Sequence, residues 1–189
     1  AQCEGRLKGE VLPVFDRDGE AHEQDDGVRP GSSVDKLAKL DPAFEKPYGK
    51  VTPGNSSQIT DGASWVILAS ETAVEAHGLE PIARIVDSEW AALDPGIMGL
   101  GPVLAATPLA QRHGLACNDI DLWEINEAFA AQVLACLAAW QDDDFCRDVL
   151  GYDAAFGRID RGHLNVDGGA ISLGHPVGTS GNRIVLHLA

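Results

Sequence analysis

The sequence predicts an α/β protein in which helices pack on a sheet. Apolar stretches that read as strands, "EVLPVF" at 10–15, "PIARIVDSEWAAL" at 81–93 and "DIDLWEIN" at 119–126, are separated by stretches with helical caps and period. Glycine and proline fall at the joints between them, where they interrupt regular structure. At 189 residues and 44% hydrophobic, the chain is long enough for one sizeable domain, or for one domain with pieces of another.

In order, residues 1–48 mix charge with scattered apolar positions: the strand at 10–15, an acidic loop through Glu23 and Asp26, then a short helix capped by Ser33 and ended by Pro42. Residues 63–69 are an apolar run whose period alone leaves a buried strand and a buried helix both open. Ser70 and Gly78 bracket a helix. Pro81 opens the next strand and marks a domain boundary. Residues 94–114 give a loop and then a helix capped by Gly114. The strand at 119–126 enters "EAFAAQVLACLAAW", apolar nearly all the way round and so a buried helix, with Cys136 as a small core residue. The aspartate-rich segment 141–161 reads as a surface excursion. A last helix starts near Ser180, with Thr179 and Ser180 as its caps, and breaks off on apolar residues without a glycine or basic end. With Ala1 rather than methionine at the start, the chain reads as part of a longer polypeptide.

Composition narrows the function. A formal net charge of -15 repels phosphate backbones and anionic headgroups, so neither nucleic acid nor a membrane surface is an expected partner. No apolar run approaches the roughly 20 residues of a membrane span. The first thirty residues are charged rather than signal-like, which points to the cytoplasm. Cys3, Cys117, Cys136 and Cys146 have no CxxC spacing and are expected as reduced thiols. His163, His175 and His187 lie twelve apart, off metal-ligand spacing, and no metal is expected.

Chemistry concentrates in "NVDGGAISLGHPVGTSG", 165–181. Its glycines admit unusual backbone angles and close approach of a ligand, and they hold His175 in a constrained loop before a helix start. That suits an oxyanion site; a plain tight connection is the alternative. "GTSGN" misses the G-x-S-x-G elbow, and "GGAISLG" is not a dinucleotide loop. Asn126 in "WEINEAFA" either caps the buried helix or offers its amide to a water or carbonyl in a cleft. Glu127 is expected against the helix dipole, and Phe129 inward.

Taken together, "NEAFA" (126–130), "GGAISLGHPVGTSG" (168–181) and "VTPGNSSQITDGAS" (51–64) resemble three signatures of the thiolases, acyl-CoA acetyltransferases, in the family's order. "AQCEGRLKGEVLPV" and "DPGIMGLGPV" extend the resemblance along almost the whole chain. It implies a thiolase-like layered α/β fold: residues 1–60 as the end of the substrate-covering loop domain, 61–78 closing the N-terminal domain, and 79–189 as the C-terminal domain. It further implies that His175 assists a nucleophilic cysteine and holds the thioester oxygen, while Asn126 anchors a water in the same oxyanion site. Ser57 and Phe129 would meet the pantetheine arm and acyl group, and Phe44 the adenine or pantetheine. Coenzyme A is then a substrate, with no permanently bound cofactor, and the complete protein a homodimer or homotetramer.

Two departures stand out. Neither the nucleophilic cysteine of the family's first half nor the acid–base cysteine of its last glycine-rich motif is present, and 141–161 reads as an insertion relative to the shortest members. The resemblance therefore implies acyl transfer between coenzyme A and 3-ketoacyl-CoA or acetyl-CoA in the complete protein, with this chain inactive alone. The alternative is a non-catalytic coenzyme A-binding module or an inert fragment. A ketoacyl synthase shares the architecture, but the NEAF and GHP motifs argue against it.

Overall fold

The computed structural model describes residues 1–189. Its paired strands are β1 (Val14–Phe15) and β2 (Ala21–His22), an antiparallel hairpin in register Val14↔His22 and Phe15↔Ala21. Asp16 closes the turn by accepting the amides of Asp18 and Glu20 on Oδ1, each at 2.9 Å. The predicted strand at 10–15 is thereby shortened to its last two residues.

Helices supply most of the regular structure. α1 (Val34–Leu37) begins where Ser33 Oγ accepts from Lys36 N at 3.3 Å, and it stops before reaching Pro42. α2 (Glu71–His77) has both predicted caps: Ser70 Oγ takes the Ala73 amide at 3.2 Å, and Gly78 turns the chain out at φ 60°. α3 (Gly101–His113) ends at Gly114, as expected.

The core forms where α3 meets α4 (Ala130–Gln141) and α5 (Asp143–Asp148). Val103 and Ala110 pack in one cluster with Val133, Cys136, Leu137 and Trp140. Trp140 Nε1 donates to Thr107 Oγ1 at 3.1 Å, so two buried polar groups satisfy each other. Cys136 is fully buried, as its place in an apolar helix predicts.

Residues 141–161 correct the sequence reading. They send Cys146, Phe156 and Ile159 into this core, with the Phe156 ring 6.2 Å from Trp140 and 5.6 Å from Tyr152. The aspartates that mimic a solvated loop are spent on turns: Asp142 Oδ1 takes the Phe145 amide and Asp143 Oδ1 the Ala155 amide, both at 2.8 Å.

Other segments lose their expected regularity. Residues 63–69 form neither a buried strand nor a buried helix, and Trp65 and Ile67 stand 79% and 94% exposed. Residues 81–93 join no ladder, and 119–126 keeps one parallel bridge, Trp123↔Leu164. A stretch becomes a strand only where a neighbour takes its amides and carbonyls, and no strand within the chain pairs with these. No helix is long and apolar enough to cross a membrane. The last elements, α6 (Ala170–Leu173) and α7 (Val177–Leu188), flank the glycine-rich loop. α7 starts at Val177, earlier than expected, directly after Pro176, which has no N–H to leave unpaired.

Candidate active site

Asn126 is held from both sides. Trp123 N donates to His163 O at 2.8 Å and Asn165 N to Trp123 O at 2.9 Å, which lays 123–127 beside 163–165. Asn165 then pairs with Ile125 through both ends of its amide: Oδ1 accepts Ile125 N, and Nδ2 donates to Ile125 O, each at 2.9 Å. The same Nδ2 donates to Glu127 Oε1 at 3.0 Å. Between these fastened neighbours, Asn126 Nδ2 lies 3.3 Å from His175 Nε2 and 3.4 Å from Nδ1. Asn126 Oδ1 is buried and has no partner in the chain.

The helix-cap alternative for Asn126 falls away, because α4 begins later, with Phe129 as its N-cap. Glu127 does not serve that helix either. Its Oε2 accepts Ile171 N at 3.3 Å, at the start of α6, and the carboxylate fills the space that a side chain on Gly169 would need.

His175 is set by contacts from far along the chain. Its N–H donates to Thr60 Oγ1 at 3.0 Å, and Thr60 Oγ1 donates to Gln58 O at 2.8 Å. Gly174 sits at φ 97° with Thr60 against it, so both its angle and its surroundings exclude a larger residue. Gln58 Nε2 reaches Ser172 O at 3.3 Å, Thr179 Oγ1 donates to Gly62 O at 2.8 Å, and Asn182 Nδ2 to Ser64 Oγ at 2.8 Å. The segment 58–64 is thus stitched to the histidine loop.

Ser180 corrects the expected helix cap. Its hydroxyl, 2% exposed, lies 2.6 Å from His175 Nδ1 and donates to Pro176 O at 3.3 Å. If that hydrogen stays on the carbonyl, the hydroxyl accepts from Nδ1–H, and in that tautomer the lone pair is on Nε2, 3.3 Å from Asn126 Nδ2. Thr179 likewise spends its hydroxyl on Gly62 instead of capping.

Of the other predicted residues, Ser57 is half-buried and donates its amide to Ala128 O at 3.0 Å, beside an antiparallel bridge between Ser56 and Phe129. Phe129 is 41% exposed and not turned inward, because an N-cap in extended conformation aims its side chain off the helix. Phe44 stands on the surface in the turn after α1, tied to the 51–57 segment by Ala43 N to Val51 O at 2.8 Å. It is not gathered with the others.

No cysteine is paired with His175. Burial pushes the Cys117 and Cys136 thiols above their ordinary range, and Cys136 and Cys146 donate to Gly99 O and Ala139 O at 3.2 and 3.3 Å. All three are buried, while Cys3 is exposed near the N-terminus. A charged cluster with no motif to announce it gathers next to these elements. His187 Nδ1 lies 2.9 Å from Glu10, its Nε2 lies 3.8 Å from Glu124 and 3.6 Å from Asp167, and Arg6 pairs with Asp167. Burial raises the Glu124 carboxyl, against the pull of His187 and Arg183. No group of three or more His, Cys, Asp or Glu side chains converges closely enough to hold a metal ion. Two concavities, of about 440 and 510 Å³, open at Ala110–Tyr152–Phe156 and at Leu7–Val11–Gln24, and neither contains His175 or Asn126. The site is marked by converging side chains.

Comparison with known proteins bears on this pair. Residues 1–72 match the family described as thiolase, N-terminal domain, and 79–189 the one described as thiolase, C-terminal domain. A 3-ketoacyl-CoA thiolase of Marinobacter nauticus is 43% identical over 188 residues, covering 97% of this chain and 44% of that protein. Human mitochondrial 3-ketoacyl-CoA thiolase in complex with CoA superposes with a TM-score of 0.83 at 41% identity, over 100% of this chain and 43% of that one. The dimeric peroxisomal thiolase of Saccharomyces cerevisiae gives 0.85 at 37% identity, over 100% and 44%. The thiolase-like α/β fold stands, although most of its sheet pairing is absent from this chain's own hydrogen bonds. The chain spans under half the length of these relatives. Matched along both of its parts by the two domain families in order, it belongs to the thiolase family.

Proposed function

We propose that the complete protein is a thiolase that moves an acyl group between coenzyme A and a 3-ketoacyl-CoA or acetyl-CoA through a cysteine thioester. The observation that supports this most is the contact of Asn126 Nδ2 with His175 Nε2 at 3.3 Å, with Asn126 Oδ1 buried and unpartnered beside it. An orphaned buried acceptor is costly unless something donates to it, and a water there would present its second hydrogen to a substrate oxygen. His175, with its lone pair on Nε2, accepts the proton of an incoming thiol. The resulting Nε2–H then donates to the oxygen that gains charge as the thiolate attacks the carbonyl. The thiolate itself comes from outside these four cysteines.

Ser57 and Phe129 are proposed to meet the pantetheine arm, supported by the bridge that joins their segments and by the exposure of Phe129. Phe44 is proposed as a more distant contact for the same ligand. A homodimer or homotetramer, a cytoplasmic location, and the division at 1–60, 61–78 and 79–189 complete the proposal. The dimeric yeast relative supports the first.

The test is thiolysis by the full-length protein. Removing the base by His175→Ala is expected to lower kcat about 10²- to 10⁴-fold, and turnover at the wild-type rate sinks the role. The 189-residue chain alone is expected to show no thiolysis. If the full-length protein binds coenzyme A by calorimetry without turning over, the non-catalytic binding module replaces the enzyme.

A further inference from the structure

We propose that Asn165 is a positioning residue for the Asn126–His175 pair: its carboxamide fixes the backbone of Ile125 before Asn126 and the side chain of Glu127 after it, and so sets where that amide points. The inference rests on the acyl-transfer reading, which gives Asn126 and His175 their work. Asn165 touches neither side chain. It acts through Ile125 and Glu127.

A carboxamide offers one acceptor and two donors in a plane, and Asn165 uses them as a neighbouring strand would. Oδ1 takes Ile125 N while Nδ2 gives to Ile125 O, both at 2.9 Å, at a place where the chain has only a single bridge, Trp123↔Leu164, to hold the segment. The remaining donor reaches Glu127 Oε1 at 3.0 Å. Asn126 therefore sits between two residues anchored by one side chain. The backbone of Asn165 is at φ 47°, a left-handed conformation that asparagine tolerates better than other side-chain-bearing residues. Glu127 passes the constraint on, since its other oxygen accepts Ile171 N in α6, whose C-terminal end runs through Gly174 into His175. One amide thus orients both members of the pair.

The experiment is a double-mutant cycle in the full-length enzyme with steady-state thiolysis and a melting curve for each variant. Asn165→Gly keeps the left-handed backbone without strain and removes only the amide. A misaimed group costs up to about a hundredfold, so kcat is expected to fall about ten- to hundredfold with KM for coenzyme A within about twofold. In an Asn126→Ala background the same change is expected to cost clearly less, because one of the two residues it aims is gone and only the part carried to His175 through Glu127 remains. Asn165→Asp keeps the shape and the bond to Ile125 N but turns an oxygen toward Ile125 O and Glu127. It is expected to lose kcat as well, and it keeps the cycle readable if the glycine variant does not fold. Additive losses alongside a slow Asn126→Ala enzyme, or a wild-type rate in Asn165→Asp, overturn this inference alone. A wild-type rate in Asn126→Ala overturns it together with the acyl-transfer role of Asn126.

Discussion

Asn126 and His175 lie 49 positions apart in the chain, yet their polar atoms meet at 3.3 Å, and Ser180 Oγ holds the ring's Nδ1 at 2.6 Å. Losing the buried hydroxyl leaves Nδ1–H without its acceptor, a cost of about 1–3 kcal/mol. Ser180→Ala in the full-length protein is therefore expected to lower kcat by about ten- to hundredfold, measured beside a melting curve that separates turnover from stability. An unchanged kcat removes the tautomer role. His175 was legible in the sequence because glycine and proline on either side of a lone imidazole make a pattern. Ser180 was not, since a serine near a helix start reads as a cap whether its hydroxyl points to the helix amides or back to a ring five positions earlier. Asn126 stayed ambiguous for the same reason, and only the later start of α4 decided it.

At the scale of elements, short-range chemistry was readable and pairing was not. Ser70 and Gly78 bracket α2, and Gly114 ends α3, because a cap acts on amides and carbonyls within one turn of itself. The apolar run 63–69 carries no such local instruction, and whether it becomes a strand depends on a partner. The irregular segment after it is held instead by charge. Asp87 accepts from His113 Nε2 at 3.0 Å, from the Ser88 amide at 2.7 Å and from Arg112, which lowers its carboxyl from 3.8 to about 2. Because the folded value lies below the ordinary one, this anchor to the end of α3 is fully present above about pH 3.8 and is lost as pH falls through about 2. Carboxyl-carbon NMR is expected to show Asp87 titrating near 2 and to move toward 3.8 in His113→Ala. A normal titration in the unmutated chain contradicts the anchor.

Across the whole molecule, the buried cluster of Val103 through Ile159 contrasts with an apolar strip left in the open. Trp65, Ile67, Leu68, Ile82, Ile85 and Val86 are all exposed. Exposed apolar side chains in such number, next to unpaired backbone, drive association. The 189-residue chain is expected to sediment as more than a monomer at micromolar concentration and to bind a hydrophobic dye. A monodisperse monomer without dye binding contradicts that. The family and the fold class were legible in three motifs, and with them the two side chains that the structure brings together, Asn126 and His175. The core role of 141–161 was hidden by its aspartates, because composition averages over a segment while burial is decided residue by residue.

The hydrogen bonds that stitch 58–64 to the histidine loop join positions 114 to 118 residues apart. Chain closure over such a span has an entropic penalty that grows by about 0.6 kcal/mol with each doubling of length, and contacts of high sequence separation form late. On the ribosome, at about 5–20 residues per second, Thr60 waits on the order of ten seconds for its partner to emerge. The helical core has every residue it needs before then, so the imidazole finds its orientation only after that core can close.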